Sequence, residues 1–334
     1  MSGLSVSGLS RRFGERWALR ELAFELASGS RLAVLGRSGA GKTTLLRLLA
    51  GLEAPDAGRV LLEGRDLAGV SPAERGVGMV FQDLALWPHK DVEETLSWTA
   101  RGTRAERRAA ARRLADEVGL GGRLDALPAE LSGGEQQRLA IARALAPAPR
   151  LLLCDEPFAH LDAPLRWELG GRLLELLAER GAALILVTHE RREALDLADE
   201  LLVLDAGEAC DRGRVEDVLQ RPAHATTASL LDLGAVLPAE VAGGKARCAL
   251  GELELAWELE GADAVLVRPG ELSLGAEGVA GRVRRRSTRP TTRGVEAVLE
   301  VELEGGARVR VEGAAEVGAE VHLRPPAKVV PLRR

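Results

Sequence analysis

Eight consecutive residues have the composition of a loop that binds phosphate. They are Gly36, Arg37, Ser38, Gly39, Ala40, Gly41, Lys42 and Thr43. Glycines leave backbone N–H groups free to surround phosphate oxygens, and the following helix N-terminus adds partial positive charge. In this motif the lysine reaches the terminal phosphates, and the next hydroxyl ligates Mg²⁺. An apolar strand precedes the segment and an apolar helix follows it, which favours a phosphate site over a merely flexible glycine turn.

Two adjacent carboxylates end a buried apolar segment later in the chain. Leu151–Cys154 predicts a strand, and Asp155 and Glu156 follow it directly. A carboxylate at this place can hold the water shell of Mg²⁺, and its neighbour can polarise a water molecule that attacks a γ-phosphate. Two acids that simply cap the next helix are the alternative. The phosphate loop in the same chain favours the chemical role.

A second glycine-rich helix start lies between these two motifs. Leu131 is followed by Ser132, Gly133, Gly134 and Glu135. Ser132 and Glu135 have the spacing of a capping box, which predicts a helix that begins here. The glycines weaken such a cap, but they expose backbone N–H groups beside a serine hydroxyl. This arrangement predicts a second phosphate-binding helix N-terminus.

Together these motifs resemble the ATP-binding cassette (ABC) family, whose signature matches the stretch Leu131–Gln136. The resemblance covers essentially the whole chain and implies ATP and Mg²⁺ as cofactors. It also implies a head-to-tail homodimer with two shared sites, in which Lys42 and Glu156 of one subunit face Ser132 and Gly134 of the other. The loop 159–162 departs from the family in having Ala159 where serine is usual.

The resemblance extends the set of site residues position by position. It implies that Phe13 stacks on adenine, that His189 contacts the γ-phosphate, and that Asp162 belongs to a loop at the dimer interface. The implied catalytic residues are Glu156, His189 and Gln82. The implied metal ligands are Thr43, Gln82 and Asp155. The implied nucleotide-binding residues are Phe13, Gly36, Ser38, Gly39, Ala40, Gly41, Lys42, Thr43, Thr44, Ser132, Gly133, Gly134 and Asp162.

Alternating apolar strands and amphipathic helices predict an α/β fold with a mostly parallel sheet, the core of a P-loop NTPase. The predicted strands are Arg31–Leu35, Arg59–Leu62, Val77–Phe81, Leu151–Cys154 and Ala183–Val187. Residues 83–150 carry no strand pattern and predict a helical insert, with helices at Thr103–Val118 and Gln136–Leu145. We interpret the charge run of the first of these helices as a solvated face rather than a binding surface.

The pattern changes near residue 231, which predicts a nucleotide-binding domain at 1–231 and a small β-barrel domain at 232–334. Apolar and charged residues alternate on both sides of Gly305 and Gly306. A three-residue loop, Glu304–Gly306, pairs apolar with apolar and Glu with Arg, whereas a two-residue turn does not. An arginine-rich segment at 282–293 is interpreted as a solvated loop, with an anion-binding site as the alternative.

Two further segments indicate the branch of the family. Val267–Glu271 resembles a motif of the TOBE domain, a C-terminal barrel similar to oligomer-binding folds and found in importer ATPases. Leu86–His89 resembles the maltose, iron and polyamine importer branch. The resemblance therefore implies permease subunits and an extracytoplasmic solute-binding protein as partners, and it leaves the solute open among iron, inorganic anions, thiamine, polyamines and sugars. A non-transport ABC ATPase and an exporter subunit are the alternatives.

Composition places limits on these functions. The chain has 334 residues, 46% of them hydrophobic, yet charges interrupt every apolar stretch of the length needed to span a membrane. The net charge of -5 disfavours nucleic acid as a partner. Cys154, Cys210 and Cys248 lack the paired spacing of a zinc or disulfide site. We therefore expect a cytoplasmic protein, peripheral on the inner face of the cell membrane.

Overall fold

The computed structural model describes residues 3–159, 161–291 and 294–334, and no side chain within 289–296. The chain divides into two compact units, one ending at Val215 and the other comprising Glu216–Arg334. The predicted limits at 231 and 232 stay a prediction. Residues 216–231 belong to the second compact unit.

Within residues 3–159 and 161–215, the first unit has ten strands and six α-helices. The strands are β1 (Gly3–Phe13), β2 (Arg16–Ala27), β3 (Arg31–Gly36), β4 (Ala57–Leu62), β5 (Arg65–Asp66), β6 (Val77–Val80), β7 (Leu151–Asp155), β8 (Ala183–Val187), β9 (Glu200–Asp205) and β10 (Glu208–Arg214). The helices are α1 (Lys42–Ala50), α2 (Val92–Thr99), α3 (Arg104–Glu117), α4 (Gly133–Leu145), α5 (Ala163–Arg180) and α6 (Arg191–Leu197).

The central sheet of this unit has the order β10-β9-β3-β8-β7-β6, and every pairing except β10–β9 is parallel. A separate antiparallel sheet has the order β2-β1-β4-β5. The predicted α/β core is therefore confirmed, whereas the strand predicted at Arg59–Leu62 is not part of the parallel sheet. It belongs to β4, which pairs with β1 inside the antiparallel sheet.

Helices and the second sheet cover both faces of the central sheet. Strand β7 is buried along its whole length. Leu151 and Leu153 pack into a core with helix α1 and the antiparallel sheet, while Leu152 and Cys154 pack into a core with α4 and α5. Since successive strand residues point to opposite faces, a strand buried on both faces must be apolar throughout. This explains why the carboxylates appear only where β7 ends.

The helical insert is confirmed, with α2, α3 and α4 between residues 92 and 145. The charge run of α3 is exposed, but it is not merely solvated. Arg108 donates to Glu93 of α2 over 2.8 Å, and Arg112 donates to the same carboxylate over 2.6 Å. The Glu93 side chain is only 8% exposed. The two arginines therefore hold α3 against α2.

Helix α7 (Val215–Gln220) begins at the last residue of the first unit, and α8 (Ala225–Leu230) lies in the second unit together with eleven strands within residues 216–291 and 294–334. These strands are β11 (Ala235–Pro238), β12 (Glu240–Ala242), β13 (Lys245–Cys248), β14 (Gly251–Leu255), β15 (Ala264–Val267), β16 (Ser273–Gly275), β17 (Val279–Thr291), β18 (Gly294–Leu303), β19 (Arg308–Glu312), β20 (Glu320–Arg324) and β21 (Lys328–Leu332). They form a six-stranded and a five-stranded sheet, and both contribute to one apolar core.

The predicted hairpin of this unit is confirmed. Val301 pairs with Val309 and Glu302 with Arg308, as a three-residue loop requires. Gly306 has a φ of 84°, the left-handed conformation that such a loop needs. The loop predicted at 282–293 is wrong over most of its length, because residues up to 291 form β17 and pair with β18. Residues 292 and 293 lie outside the described residues.

Among the described residues, no helix combines the length and the apolar character needed to cross a lipid bilayer.

Candidate functional site

The segment between β3 and α1 forms a tight loop whose glycines are required by close packing. A Cβ on Gly36 would lie 2.5 Å from the carbonyl oxygen of Leu204. Gly41 has a φ of 103°, and a Cβ there would lie 2.2 Å from the carbonyl oxygen of Ala18. Gly41 is also the N-cap of α1 and makes no side-chain cap. The first N–H groups of α1 therefore have no side-chain acceptor and suit an anion.

Lys42 lies back across this loop. Its Nζ donates to the carbonyl oxygens of Gly36 over 2.8 Å and Arg37 over 3.0 Å. Burial lowers the pKa of Lys42, while the nearby carboxylates of Glu156 and Asp155 act in the opposite direction. The amino group is thus held over the loop between the backbone and the carboxylates, where a phosphate would be its counter-ion.

The three predicted metal ligands meet in one cleft. Thr43, Gln82 and Asp155 line a cavity of about 460 Å³. Burial raises the pKa of Asp155, and a hydrogen bond from the Thr43 hydroxyl partly offsets this. Mg²⁺ is commonly held by one or two carboxylates together with phosphate oxygens and water. A hydroxyl, an amide oxygen and one carboxylate beside a phosphate loop therefore fit this ion.

Glu156 lies at the same edge of the sheet, in contact with two other predicted residues. The Gln82 side-chain amide donates to the Glu156 carboxylate over 3.4 Å, and Nδ1 of His189 lies 3.1 Å from the same oxygen. The side chain is 20% exposed, so water can reach it. The structure thus brings together all three predicted catalytic residues.

The loop that carries His189 is anchored by buried polar residues that sequence reasoning missed. The Thr188 hydroxyl donates to Glu193 over 2.6 Å, and both residues are buried. Burial raises the pKa of Glu193, although the hydrogen bond from Thr188 and the charge of Arg166 counteract it. Arg166 lies 3.4 Å from Glu193 and also donates to the carbonyl oxygen of Leu161. In the sequence these positions are only polar residues near or within helices, and their spacing does not indicate which of them pair in the folded chain.

A second cleft, of about 330 Å³, adjoins the phosphate loop. Its lining residues are Phe13, Arg16, Ala18, Gly39, Gly41, Lys42, Thr43 and Thr44. Phe13 is 48% exposed and lines this cleft, so it is not a core residue. Sequence reasoning found Phe13, Gly39 and the residues from Gly41 to Thr44, but it missed Arg16 and Ala18.

The predicted residues of two later segments, Ser132–Gly134 and Asp162, lie elsewhere on the chain. Ser132 forms the predicted capping box with Glu135, and Asp162 caps α5 by accepting from the Leu165 backbone over 2.9 Å. Gly133 has open space around it, whereas a Cβ on Gly134 would lie 2.7 Å from the Leu165 side chain. Of the described residues that line the two clefts, none belongs to these two segments.

Comparisons with known proteins identify the family of this chain. A family profile described as "ABC transporter" matches residues 19–159. The Fe(3+) ions import ATP-binding protein FbpC of Serratia marcescens is 39% identical, with 98% of this chain and 96% of that protein covered. The namesake from Streptomyces coelicolor is 41% identical over 95% of this chain and 93% of that protein. The chain belongs to the ABC transporter family.

Two further similarities add to this. A sulfate/thiosulfate import ATP-binding protein, CysA 2 of Chromobacterium violaceum, is 42% identical over 80% of this chain and 75% of that protein. The dimeric, post-hydrolysis structure of the ATP-binding cassette MJ0796 bound to ADP and Pi is 28% identical, with a TM-score of 0.57 over 64% of this chain and 98% of that one. This chain is an ATP-binding and ATP-hydrolysing subunit of an ABC importer.

Proposed function

We propose that the chain works as a homodimer that binds two Mg²⁺-ATP and hydrolyses them with Glu156 as the general base. The observation that carries this proposal is the meeting of the phosphate loop, Asp155 and Glu156 at one edge of the central sheet. Parallel α/β sheets bind ligands at the carboxyl ends of their strands. Both β3 and β7 end there.

Ground-state binding is assigned to the two adjoining clefts. Phe13 stacks on the base, and the backbone N–H groups of residues 39–43 together with Lys42 bind the phosphates. Thr43, Gln82 and Asp155 would hold Mg²⁺, which neutralises charge on the phosphates when it is bound. The buried position of Asp155 supports this role, because a cation offsets the cost of burying a carboxylate.

Hydrolysis is assigned to Glu156. Its carboxylate accepts a proton from a water molecule while the water oxygen bonds to the γ-phosphorus. The bond from that phosphorus to the bridging oxygen breaks, and ADP leaves with that oxygen. Gln82 and His189, both in contact with the carboxylate, orient it. His189 is exposed enough to reach a γ-phosphate when the nucleotide is bound.

The homodimer explains why two helix N-termini suited to phosphate occur in one chain. Ser132 and Gly133 are exposed at the start of α4 and line neither cleft. In the proposed head-to-tail dimer they bind the nucleotide held by Lys42 of the partner, and the exposed Asp162 segment lies at the interface. The dimeric state of MJ0796 supports this assignment.

The transport partners follow from the relatives. We propose that the dimer docks on permease subunits at the inner face of the cell membrane and acts with an extracytoplasmic solute-binding protein. The two relatives cited above that cover 95% or more of this chain are named for Fe(3+) import, which supports Fe³⁺ as the solute. The second unit, with the predicted domain 232–334, is assigned a regulatory role without chemistry, because the predicted nucleotide and metal residues all precede it.

A mixing experiment tests the composite site. Lys42→Ala removes the phosphate-loop half, and Ser132→Arg blocks the other half. We expect each variant alone to lack ATP hydrolysis, and a mixture to regain activity because each heterodimer contains one intact composite site. Phosphate release is measured as the mixing ratio is varied. Recovery that peaks at equal amounts supports the proposal, whereas a mixture as inactive as its components contradicts it.

A further inference from the structure

We propose that Arg16 is a phosphate-binding residue of the nucleotide cleft, placed on the α-phosphate between the base and the phosphate loop. The inference rests on the proposed nucleotide site and assigns a cation to it in addition to Lys42. Nothing in the signature motifs of the family identified this residue. Its position in the folded chain identifies it as a candidate ligand of the nucleotide.

Arg16 spans the cleft between the two parts of the nucleotide site. It is the first residue of β2 and pairs across the strands with Phe13, the proposed base platform. Its Nη2 donates to the carbonyl oxygen of Gly39 in the phosphate loop over 3.2 Å. A Cβ on Gly39 would lie only 3.1 Å from this nitrogen. The guanidinium therefore lies over the loop itself, and Gly39 provides the space for it.

Among the described residues, no carboxylate forms an ion pair with Arg16. Arg11 of β1 pairs with Asp56 over 3.0 Å, and Arg20 of β2 pairs with Glu208 over 3.3 Å. By contrast, Arg16 has no carboxylate within 4.0 Å among the described residues, and its one side-chain partner there is a carbonyl oxygen. A guanidinium has five N–H donors. Most of them are therefore available to a ligand.

The geometry also indicates which phosphate is bound. The base lies on Phe13, and Lys42 and Thr43 take the terminal phosphates and the metal. The ribose and the α-phosphate lie between these two ends, and only the α-phosphate is anionic; Arg16 lies between Phe13 and Gly39. A guanidinium recognises phosphate oxygens through parallel, charge-assisted hydrogen bonds. Because ATP, ADP and the transition state share the α-phosphate, this contact contributes equally to all three.

The test compares Arg16→Gln with Arg20→Gln, a matched control on the same strand outside the cleft. Dissociation constants for ATP, ADP and AMP are measured by titration, and hydrolysis is measured against ATP concentration. Loss of one charged hydrogen bond weakens binding by about 10- to 150-fold. We expect this factor for all three nucleotides in Arg16→Gln, with KM raised similarly and kcat within about twofold. Arg20→Gln is expected to match the parent protein.

Three results would overturn the inference while leaving the proposed function intact. These are unchanged nucleotide affinity in Arg16→Gln, a loss confined to ATP, or an equal loss in Arg20→Gln. The variant Lys42→Ala distinguishes a failure of the Arg16 contact from a failure of the proposed nucleotide site. If the parent protein itself bound no nucleotide, or if Lys42→Ala bound it as well as the parent, the proposed site would fail along with Arg16.

Discussion

Glu156 adopts a left-handed backbone conformation, with a φ of 47°. A non-glycine residue in this region is uncommon, and such strain concentrates at functional sites. The backbone N–H of Glu156 donates to the carbonyl oxygen of Val187, which fixes the turn against the neighbouring strand β8. The conformation turns the chain out of β7 and places the carboxylate between Gln82 and His189. The strain is therefore coupled to the position of the proposed base.

At the same scale, Phe13 provides a prediction about nucleotide affinity. Stacking of an aromatic ring contributes about 0.5–1.5 kcal/mol beyond burial. Phe13→Ala should therefore weaken ATP binding by about 2- to 10-fold, and GTP binding by a similar factor, because stacking does not read base edges. Trp17→Ala is the control, since Trp17 is a comparably exposed aromatic that does not line the cleft. Unchanged ATP affinity in Phe13→Ala would remove Phe13 from the site.

At the scale of elements, chemistry is placed where strands end and helices begin. Asp155 ends β7 and Glu156 follows it, His189 follows β8, and the phosphate loop joins β3 to α1. Each of these strands has a buried apolar run, and the polar residues that follow this run mark the carboxyl edge of the sheet. Parallel neighbours bring these points together. This is why short motifs that are distant in sequence form one site.

The pairing of α3 with α2 provides a prediction about stability. Glu93→Gln should lower the free energy of unfolding at neutral pH by about 1.5–3 kcal/mol, because hydrogen bonds to charged groups have this magnitude. Equilibrium unfolding in urea measures the change. Glu168→Gln is the control, since that side chain is 69% exposed and lies 3.9 Å from its nearest cation. Equal effects of the two substitutions would show that the Glu93 pairs are energetically unimportant.

The same pair has a defined pH dependence. Hydrogen bonds from Arg112 and Arg108 lower the pKa of Glu93 below its usual range, the bond from Arg112 having the larger effect. A carboxylate whose folded pKa lies below the unfolded value of about 4.3 stabilises the protein above that pH. The contribution is lost as the pH falls through the folded pKa. The difference between the parent protein and Glu93→Gln should therefore shrink when the unfolding measurements are repeated below about pH 4.

Sequence reasoning predicted those elements whose signals are local. The capping box at Ser132, the strand Ala183–Val187 and the three-residue hairpin loop depend on neighbouring residues, and all three are confirmed. The strand predicted at Arg59–Leu62 was assigned to the wrong sheet, because the sequence of an apolar strand does not indicate which strand it pairs with. Arg16 and Glu193 were missed because their partners, Gly39 and Thr188, are recognised only in the folded chain.

At the scale of the whole molecule, we propose that one chain contributes one half to each of two nucleotide sites shared with its partner. The phosphate loop, Asp155 and Glu156 lie together, while Ser132 and Asp162 lie outside their clefts and cap helices of their own chain. Among the described residues, neither the Ser132 segment nor the Asp162 segment lines the clefts of its own chain. Hydrolysis therefore depends on dimerisation in this account, and ATP is the ligand that joins the halves.

Glu156→Gln tests the central claim most directly, because it removes the base while keeping the size and hydrogen-bonding shape of the side chain. Loss of a general base lowers turnover by about 10²–10⁴-fold. We expect ATP binding to persist, steady-state hydrolysis to fall by at least about 100-fold, and an ATP-dependent dimer to accumulate in sedimentation experiments. His189 and Gln82 remain in place as internal controls for folding of the site. Hydrolysis within twofold of the parent protein, or a monomer at saturating ATP, would contradict the account.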